Sequence, residues 1–155
     1  MKNQKVNSLT PAGLKKLQEE LALLKTKKIP AVIDRLSLAR AEGDLSENSA
    51  YHGAKEQLEF LENRVSELED ILEQSNVVIL AKGTHTVNVG STVMVTVNGK
   101  KIVFYVVGEW EADPKSGKIS ASSPIGSALM NRRVGDKIEI AVPAGKVIYT
   151  ITSIE

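Results

Sequence analysis

A chain of 155 residues, 42% of them apolar and 25% charged, has the composition of a globular protein with one domain or two small ones. The lack of cysteine excludes disulfide scaffolds and thiolate chemistry, two histidines are too few for a histidine-rich metal cage, and a net charge of +1 is too small for a protein that coats duplex nucleic acid. Because no apolar run is long enough to cross a bilayer and no secretory leader is recognisable, we expect a cytoplasmic protein without a membrane partner.

The first half of the chain carries apolar residues at helical spacing. A leucine stripe loses its phase between Leu21 and Val32, an eleven-residue step that is typical of a stutter in a coiled coil. Pro30 lies in this zone, where it either kinks one long helix or begins a second one, and the lack of turn residues favours the kink. A heptad seam follows, formed by Tyr51, Ala54, Leu58, Leu61, Val65, Leu68 and Leu72.

These two helical segments are expected to pair as an antiparallel hairpin, since the short stretch between them allows only a direct return. Residues 15–40 carry an excess of lysine and arginine, whereas residues 47–73 carry an excess of acids. Opposite charges favour pairing within the chain over association of like helices, so we expect a monomer. The first helix, over residues 14–42, would be about 44 Å long at 1.5 Å per residue.

Beyond residue 90 the sequence predicts antiparallel β-structure, because apolar and polar residues alternate in short runs. Ser123 and Pro124 have the chemistry of an N-cap and a first helical position, which predicts one short helix. Two strand pairs are predicted around tight turns: Thr92–Val97 with Lys100–Val107 around Asn98-Gly99, and Lys137–Val142 with Val147–Ile151 around Pro143-Ala144-Gly145. The predicted fold class is therefore α+β, with a helical hairpin over residues 1–78 and a small β domain over residues 79–155.

The turn between the two long helices holds the residues with chemical potential. Asp44 and Glu47 have the spacing of an N-cap with a partner acid at the third helical position, and spacing alone favours this structural interpretation. The functional alternative is that these two acids, at the far end of a long helical hairpin, are the groups that act on another molecule. Two carboxylates are too few to cage Mg²⁺, which takes its remaining ligands from water, substrate or a partner. Both interpretations stay open on the residues alone.

Several motifs of the chain together resemble one protein family. The stretch Gly43-Asp44-Leu45-Ser46-Glu47-Asn48, followed by Tyr51-His52, resembles the hairpin tip of the bacterial GreA/GreB transcript cleavage factors, the GreA type most of all. Four further stretches resemble the family in the same order, so that the similarity extends over essentially the whole chain: Leu9–Leu17, Ser123–Leu129, the turn at Gly135-Asp136, and the ending from Pro143 to Ile154.

The resemblance implies a coiled-coil hairpin followed by an FKBP-like β domain that docks on the rim of the secondary channel of bacterial RNA polymerase. The hairpin would reach through the channel to the extruded 3′ end of the nascent RNA. There Asp44 and Glu47 would be the catalytic residues, because their carboxylates would help to hold a second Mg²⁺. The polymerase's own activity would then cut the transcript. The free chain would not hold Mg²⁺ stably, and it would be an accessory factor and not an enzyme.

Other residues match family positions less specifically. Arg40 and Lys55 match a basic surface that faces the extruded RNA, with a solvated helix face as an equal alternative. Tyr51 either opens the heptad seam or stacks on a base as a further RNA contact. The loop that contacts the polymerase in the family matches three residues here: Ser123, Pro124 and Ile125.

Three other functions stay open. The first is inhibition of the polymerase, which proteins of the same fold with an altered tip carry out. The intact tip acids favour cleavage over inhibition. One departure from the family pattern is Ala50, which stands where much of the family has an acid. An FKBP-like chaperone or isomerase needs a cluster of aromatic side chains, and a coiled-coil adaptor would use the tip acids only as caps. Against the isomerase, residues 81–155 contain only four aromatic residues: Phe104, Tyr105, Trp110 and Tyr149.

Overall fold

A helical arm and a five-stranded sheet make up most of the computed structural model, which describes residues 7–44, 46–79 and 85–155. The elements in chain order are β1 (Asn7–Leu9), α1 (Pro11–Leu23), a π-helical segment (Leu24–Lys28), α2 (Ile29–Ala41), α3 (Ser49–Glu73), β2 (Ser75–Val77), β3 (Thr92–Val97), β4 (Lys100–Val107), β5 (Lys118–Ser120), α4 (Pro124–Leu129), β6 (Lys137–Val142) and β7 (Gly145–Ile154). Two short 3₁₀ turns, Glu109–Glu111 and Pro114–Ser116, lie between β4 and β5. The predicted α+β fold class is confirmed.

The chain forms two compact units. One comprises residues 15–74, and the other joins residues 75–155 with the stretch that ends at Leu14. The N-terminal stretch belongs with the β-rich unit because β1 pairs in parallel with β2, with Leu9 opposite Val77. This parallel pair was not predicted. No helix in the described ranges is long and apolar enough to span a membrane.

Helical structure continues without a turn through Pro30, which agrees with one long helical run. The loss of phase is absorbed by the π-helical segment, in which the Ile29 N–H donates to the Leu24 carbonyl, five residues earlier. Proline has no N–H to donate, and its ring crowds the carbonyl four residues before it, which here belongs to this wider turn. The buried residues of the run therefore step by seven, eight and seven: Leu17, Leu24, Val32 and Ala39.

The predicted seam of α3 is confirmed at three positions, where Ala54, Leu61 and Leu68 are buried; at its end Ile71 is buried and the predicted Leu72 is only half-buried. Polar side chains link α3 to the first helical run, and two of these links follow antiparallel order. Near the tip Arg35 donates a hydrogen bond to Gln57, and farther from it Lys25 pairs with Glu69. A third link is the ion pair of Arg64 Nε with Glu20 Oε1 at 2.9 Å. The Lys25–Glu69 pair joins the basic first helix to the acidic second one as predicted, whereas Glu20–Arg64 has the reverse polarity, with the acid on the first helix.

The strands of the second unit form one sheet in the order β5-β4-β3-β7-β6. Both predicted hairpins are present. β7 is longer than predicted at both ends, and Gly145, which was predicted in the turn, is its first residue and pairs with Val142. Asn98 and Gly99 have φ angles of 48° and 77°, the two positive values that a tight hairpin turn requires. The core lies on one face of the sheet against α4: Val87, Val93, Val95, Val106, Ile119, Leu129, Ile138, Ile140 and Ile151.

Candidate functional site at the hairpin tip

The chain leaves α2 at Gly43, which has a φ of +123°. Glycine adopts this angle without the strain that a side chain would add, and it is common just after a helix end. Nothing lies within 4 Å of the position that a Cβ would take at Gly43. The backbone turn, and not a tight contact, therefore calls for glycine here.

Asn48 begins α3. Its Oδ1 accepts a hydrogen bond of 3.0 Å from the Tyr51 N–H, and its Nδ2 donates one of 2.7 Å to the carbonyl of Ala39 in the last turn of α2. One amide side chain thus caps the start of α3 and binds the end of α2. The capping interpretation of Asp44 and Glu47 is wrong, because the helix starts one residue after Asn48 and this side chain does the capping.

The Asp44 carboxylate is organised by its own turn. Its Oδ1 accepts two hydrogen bonds from Ser46, one of 3.0 Å from the backbone N–H and one of 2.8 Å from the hydroxyl. The Ser46 hydroxyl, and after it the Ser46 backbone, hold the pKa of Asp44 below its ordinary value of 3.8. Asp44 is therefore an exposed, ionised carboxylate in a defined turn.

Glu47 lies in the same turn and is exposed. Its carboxylate makes no hydrogen bond or ion pair within the described part of the chain. Carboxylate oxygens are the ligands that Mg²⁺ prefers, so the donor chemistry fits this ion. No group of three or more histidine, cysteine, aspartate or glutamate residues comes together in the described segments. Asp44 and Glu47 could therefore supply only part of the ligand set of such an ion.

One face of the hairpin near the tip carries positive charge. The Arg40 guanidinium lies 5.9 Å from the centre of the Tyr51 ring, within the range of a cation–π contact. Lys55 follows Tyr51 by four residues and so shares its face of α3, and both Arg40 and Lys55 are exposed. The structure thus brings the three predicted RNA-contacting residues to one side, with Tyr51 half-buried beneath Arg40.

A second face of the hairpin holds a shallow groove that the sequence analysis missed. It has a volume of about 500 Å³, and Ala50, the departure from the family pattern, lies on its wall. The signal that could have revealed it is the run of small residues Ala50, Gly53 and Ala54. The full lining is Arg35, Leu38, Ala39, Glu42, Ala50, Gly53, Ala54 and Gln57.

The predicted polymerase-binding residues lie at the start of α4. Ser123 is the N-cap, as predicted: its Oγ accepts from the Gly126 N–H at 3.0 Å and donates to the Ser120 carbonyl at 2.7 Å. Ile125 packs against the core of the sheet. Pro124 is the exposed member of the three. Of this loop, Pro124 therefore presents the most surface.

Comparison with known proteins matches both units. Residues 7–77 match the family described as "Transcription elongation factor, N-terminal", and residues 82–155 match "Transcription elongation factor, GreA/GreB, C-term". Transcription elongation factor GreA of Rhodospirillum rubrum is 44% identical over 149 residues, 94% of this chain and 95% of that protein. GreA of Clostridium acetobutylicum is 42% identical over 158 aligned positions, 100% of both chains. The crystal structure of GreA factor homolog 1 (Gfh1) of Thermus thermophilus is 29% identical, covering 96% of this chain and 97% of that one, with a TM-score of 0.43.

Proposed function

Since this chain belongs to the GreA/GreB family of transcription elongation factors, we propose that it acts on bacterial RNA polymerase by inserting its helical hairpin into the secondary channel. There it stimulates the polymerase's own Mg²⁺-dependent cleavage of a backtracked transcript at the 3′ end. The polymerase provides the catalytic centre, so the chain is an accessory factor, and it works as a monomer in the cytoplasm.

The division of labour at the tip is the observation that carries this proposal. Asn48 alone caps α3 and binds the end of α2, so the fold does not need Asp44 or Glu47 for that purpose. Both acids are nevertheless exposed in the connecting turn, and Ser46 keeps Asp44 ionised and in place. Exposed carboxylates with no capping role are available as ligands for a cation held by a partner.

The chemistry follows from where these residues would be delivered. Asp44 and Glu47 would help to hold a Mg²⁺ ion whose other ligands come from the polymerase, and the ion, when bound, would supply Lewis-acid chemistry for phosphodiester hydrolysis. Asp44 contributes a negative carboxylate that is already oriented by Ser46, so little ordering is required when the complex forms. Glu47 contributes a second carboxylate that is free to adjust its position.

The basic face and the α4 loop have roles outside the chemical step. Arg40, supported on the Tyr51 ring, and Lys55 present cations that contact RNA phosphates and so position the extruded strand. Pro124, exposed at the start of α4 between Ser123 and Ile125, is the residue of this loop that meets the rim of the channel. These contacts hold the factor and the RNA in register for cleavage.

Asp44→Asn tests the metal role. Asparagine keeps an oxygen that accepts the two bonds from Ser46, and Asn48 still caps α3, so helicity and thermal unfolding should not change. Cleavage in stalled polymerase complexes at controlled Mg²⁺ should fall by about a hundredfold, because a neutral amide is a poorer ligand for Mg²⁺ than a carboxylate.

Asp34→Asn is the matched control, since Asp34 is an exposed acid on α2 and the charge change is the same. Cleavage that survives in Asp44→Asn, or that falls equally in Asp34→Asn, would contradict the proposal. Slower transcription without any cleavage by the unmodified factor would instead indicate an inhibitor.

A further inference from the structure

Thr10, which caps α1, is itself bound by a residue that lies 101 positions later in the chain. The Thr10 N–H donates to Glu111 Oε2 at 2.9 Å, and the Thr10 hydroxyl donates to Glu111 Oε1. The Thr10 hydroxyl in turn accepts from the Gly13 N–H at 3.1 Å. A helix start carries unpaired N–H groups and attracts negative charge. Glu111 thus supplies the first turn of α1 with a carboxylate from the 3₁₀ turn after β4.

Two glycines make room for this contact. A Cβ at Gly13 would collide with the Glu111 side chain, and a Cβ at Gly108 would collide with the Ser8 carbonyl oxygen. Gly108 has a φ of −66°, an angle that any residue adopts, so its backbone does not call for glycine. The close approach of the Ser8 carbonyl oxygen is what requires glycine at this position. The chain has therefore kept both sides of the contact free of side chains, and Glu111 and the Ser8–Thr10 stretch fit closely together.

We propose that Glu111 is a positioning residue for transcript cleavage: it seats the first turn of α1 and thereby fixes where the tip acids are delivered. This inference rests on the proposed function. The helical run over residues 11–41 is about 46 Å long at 1.5 Å per residue, so a tilt of about 2° at its start displaces its far end by about 1.6 Å. Misplacement of that size at a reacting centre is costly even when its origin is remote.

Glu111→Ala is the principal variant, and Glu109→Ala is its matched control. Glu109 is an exposed acid in the same 3₁₀ turn, so the charge change is equal and the contact with Thr10 is untouched. The measurement is the cleavage rate in stalled polymerase complexes as the factor concentration is raised. For Glu111→Ala we expect a maximal rate about tenfold or more below that of the unmodified factor, and a half-saturating concentration within about twofold. Glu109→Ala should match the unmodified factor.

The split between the two kinetic quantities separates positioning from stability. A factor that is only partly folded reaches the same maximal rate at a higher total concentration, because its folded fraction is fully active. A merely structural role of Glu111 would therefore raise the half-saturating concentration and leave the maximal rate unchanged. That result, or an equal loss of maximal rate in Glu109→Ala, would overturn the inference.

Glu111→Gln keeps the test decisive if the alanine variant does not fold. Its amide oxygen can accept from the Thr10 N–H, but the carboxylate charge at the helix start is lost. We expect its maximal rate to lie between those of Glu111→Ala and the unmodified factor. A maximal rate for Glu111→Gln equal to that of the unmodified factor would show that the charge is not needed.

Amide hydrogen exchange of the free protein tests the anchor without the polymerase. Exchange at Thr10 should be faster in Glu111→Ala, or in Glu111→Gln to a smaller extent, than in Glu109→Ala. Unchanged exchange would refute the anchor whatever the cleavage assay shows. If the unmodified factor stimulates no cleavage, the proposed function fails and the positioning role fails with it. Faster exchange would still establish that Glu111 binds Thr10 at the start of α1.

Discussion

Two helix starts in this chain meet the same physical need in different ways. At the start of α1, Thr10 caps the helix and the Glu111 carboxylate binds Thr10 from a distant part of the sequence. At the start of α3, Asn48 caps the helix while two nearby carboxylates take no part. Where an acid beside a helix start is bound inside the fold, it holds and positions that helix start. Where acids beside a helix start are left exposed, an external partner is the better explanation.

Glu47→Gln should give the largest effect at the exposed start after that of Asp44→Asn. Glu47 has no bond within the described segments and lies outside α3, so the free energy of unfolding should be unchanged. Cleavage in stalled complexes should fall by about ten- to a hundredfold, the range for loss of a group that supports a metal site. Glu42→Gln, an exposed acid at the end of α2, is the control. Normal cleavage by Glu47→Gln would show that the exposed Glu47 has no role in cleavage. The two helix starts would then not differ in the way described above.

Asn48→Ala should give the opposite pattern, a loss of stability. The Tyr51 N–H would lose its cap and the Ala39 carbonyl its donor, which together should lower the free energy of unfolding by about 1–2 kcal/mol. Asn48→Asp should cost less, because its carboxylate still accepts from Tyr51 but does not donate to Ala39. Urea unfolding followed by helical circular dichroism measures both. The control is Asn63→Ala, at an exposed position of α3, which should leave the free energy of unfolding almost unchanged. If Asn48→Ala also leaves it unchanged, Asn48 is not the cap that stabilises α3.

Regular periodicity made the arm and the sheet predictable. The seam of α3 and the turn at Asn98-Gly99 could be recognised because heptad spacing and hairpin chemistry are local signals. The stutter before Val32 was visible too, but a phase shift does not specify whether the helix kinks or widens, and a π-helical segment was the outcome.

The candidate site was only half predictable. Asp44, Glu47 and Asn48 are all good capping residues, and spacing could not decide among them; the choice depends on which side chain also reaches the Ala39 carbonyl. The contact between Thr10 and Glu111 has no local signal, since the two residues meet only through the tertiary fold. The β1–β2 pair escaped prediction for the same reason, as its strands are short and far apart in sequence.

Gly53→Ala should stabilise the chain. Gly53 lies inside α3, and nothing is within 4 Å of the position that its Cβ would occupy. Alanine is favoured over glycine in a helix interior by about 1 kcal/mol, so the free energy of unfolding should rise by about that amount. Urea unfolding measures the gain. Gly13→Ala, in the first turn of α1, is the informative counterpart, because there the added methyl group meets Glu111 and the protein should lose stability instead. Equal effects at the two glycines would break the distinction between the closely packed start of α1 and the open groove near the tip.

The smallest expected effect is on the titration of Asp44. The two hydrogen bonds from Ser46 favour the ionised carboxylate and hold its pKa below the ordinary value of 3.8. A lowered pKa in the folded state means that the interaction stabilises the protein above the ordinary value and that this contribution is lost as the pH falls through the lowered pKa. Ser46→Ala removes the hydroxyl bond, the larger cause, and should move the pKa of Asp44 back towards 3.8 in an NMR titration. Ser49→Ala, at the exposed first position of α3, should leave it in place. If Ser46→Ala does not shift the pKa of Asp44, Ser46 does not organise this carboxylate. Asp44 would then be no better oriented for binding a cation than an ordinary surface charge.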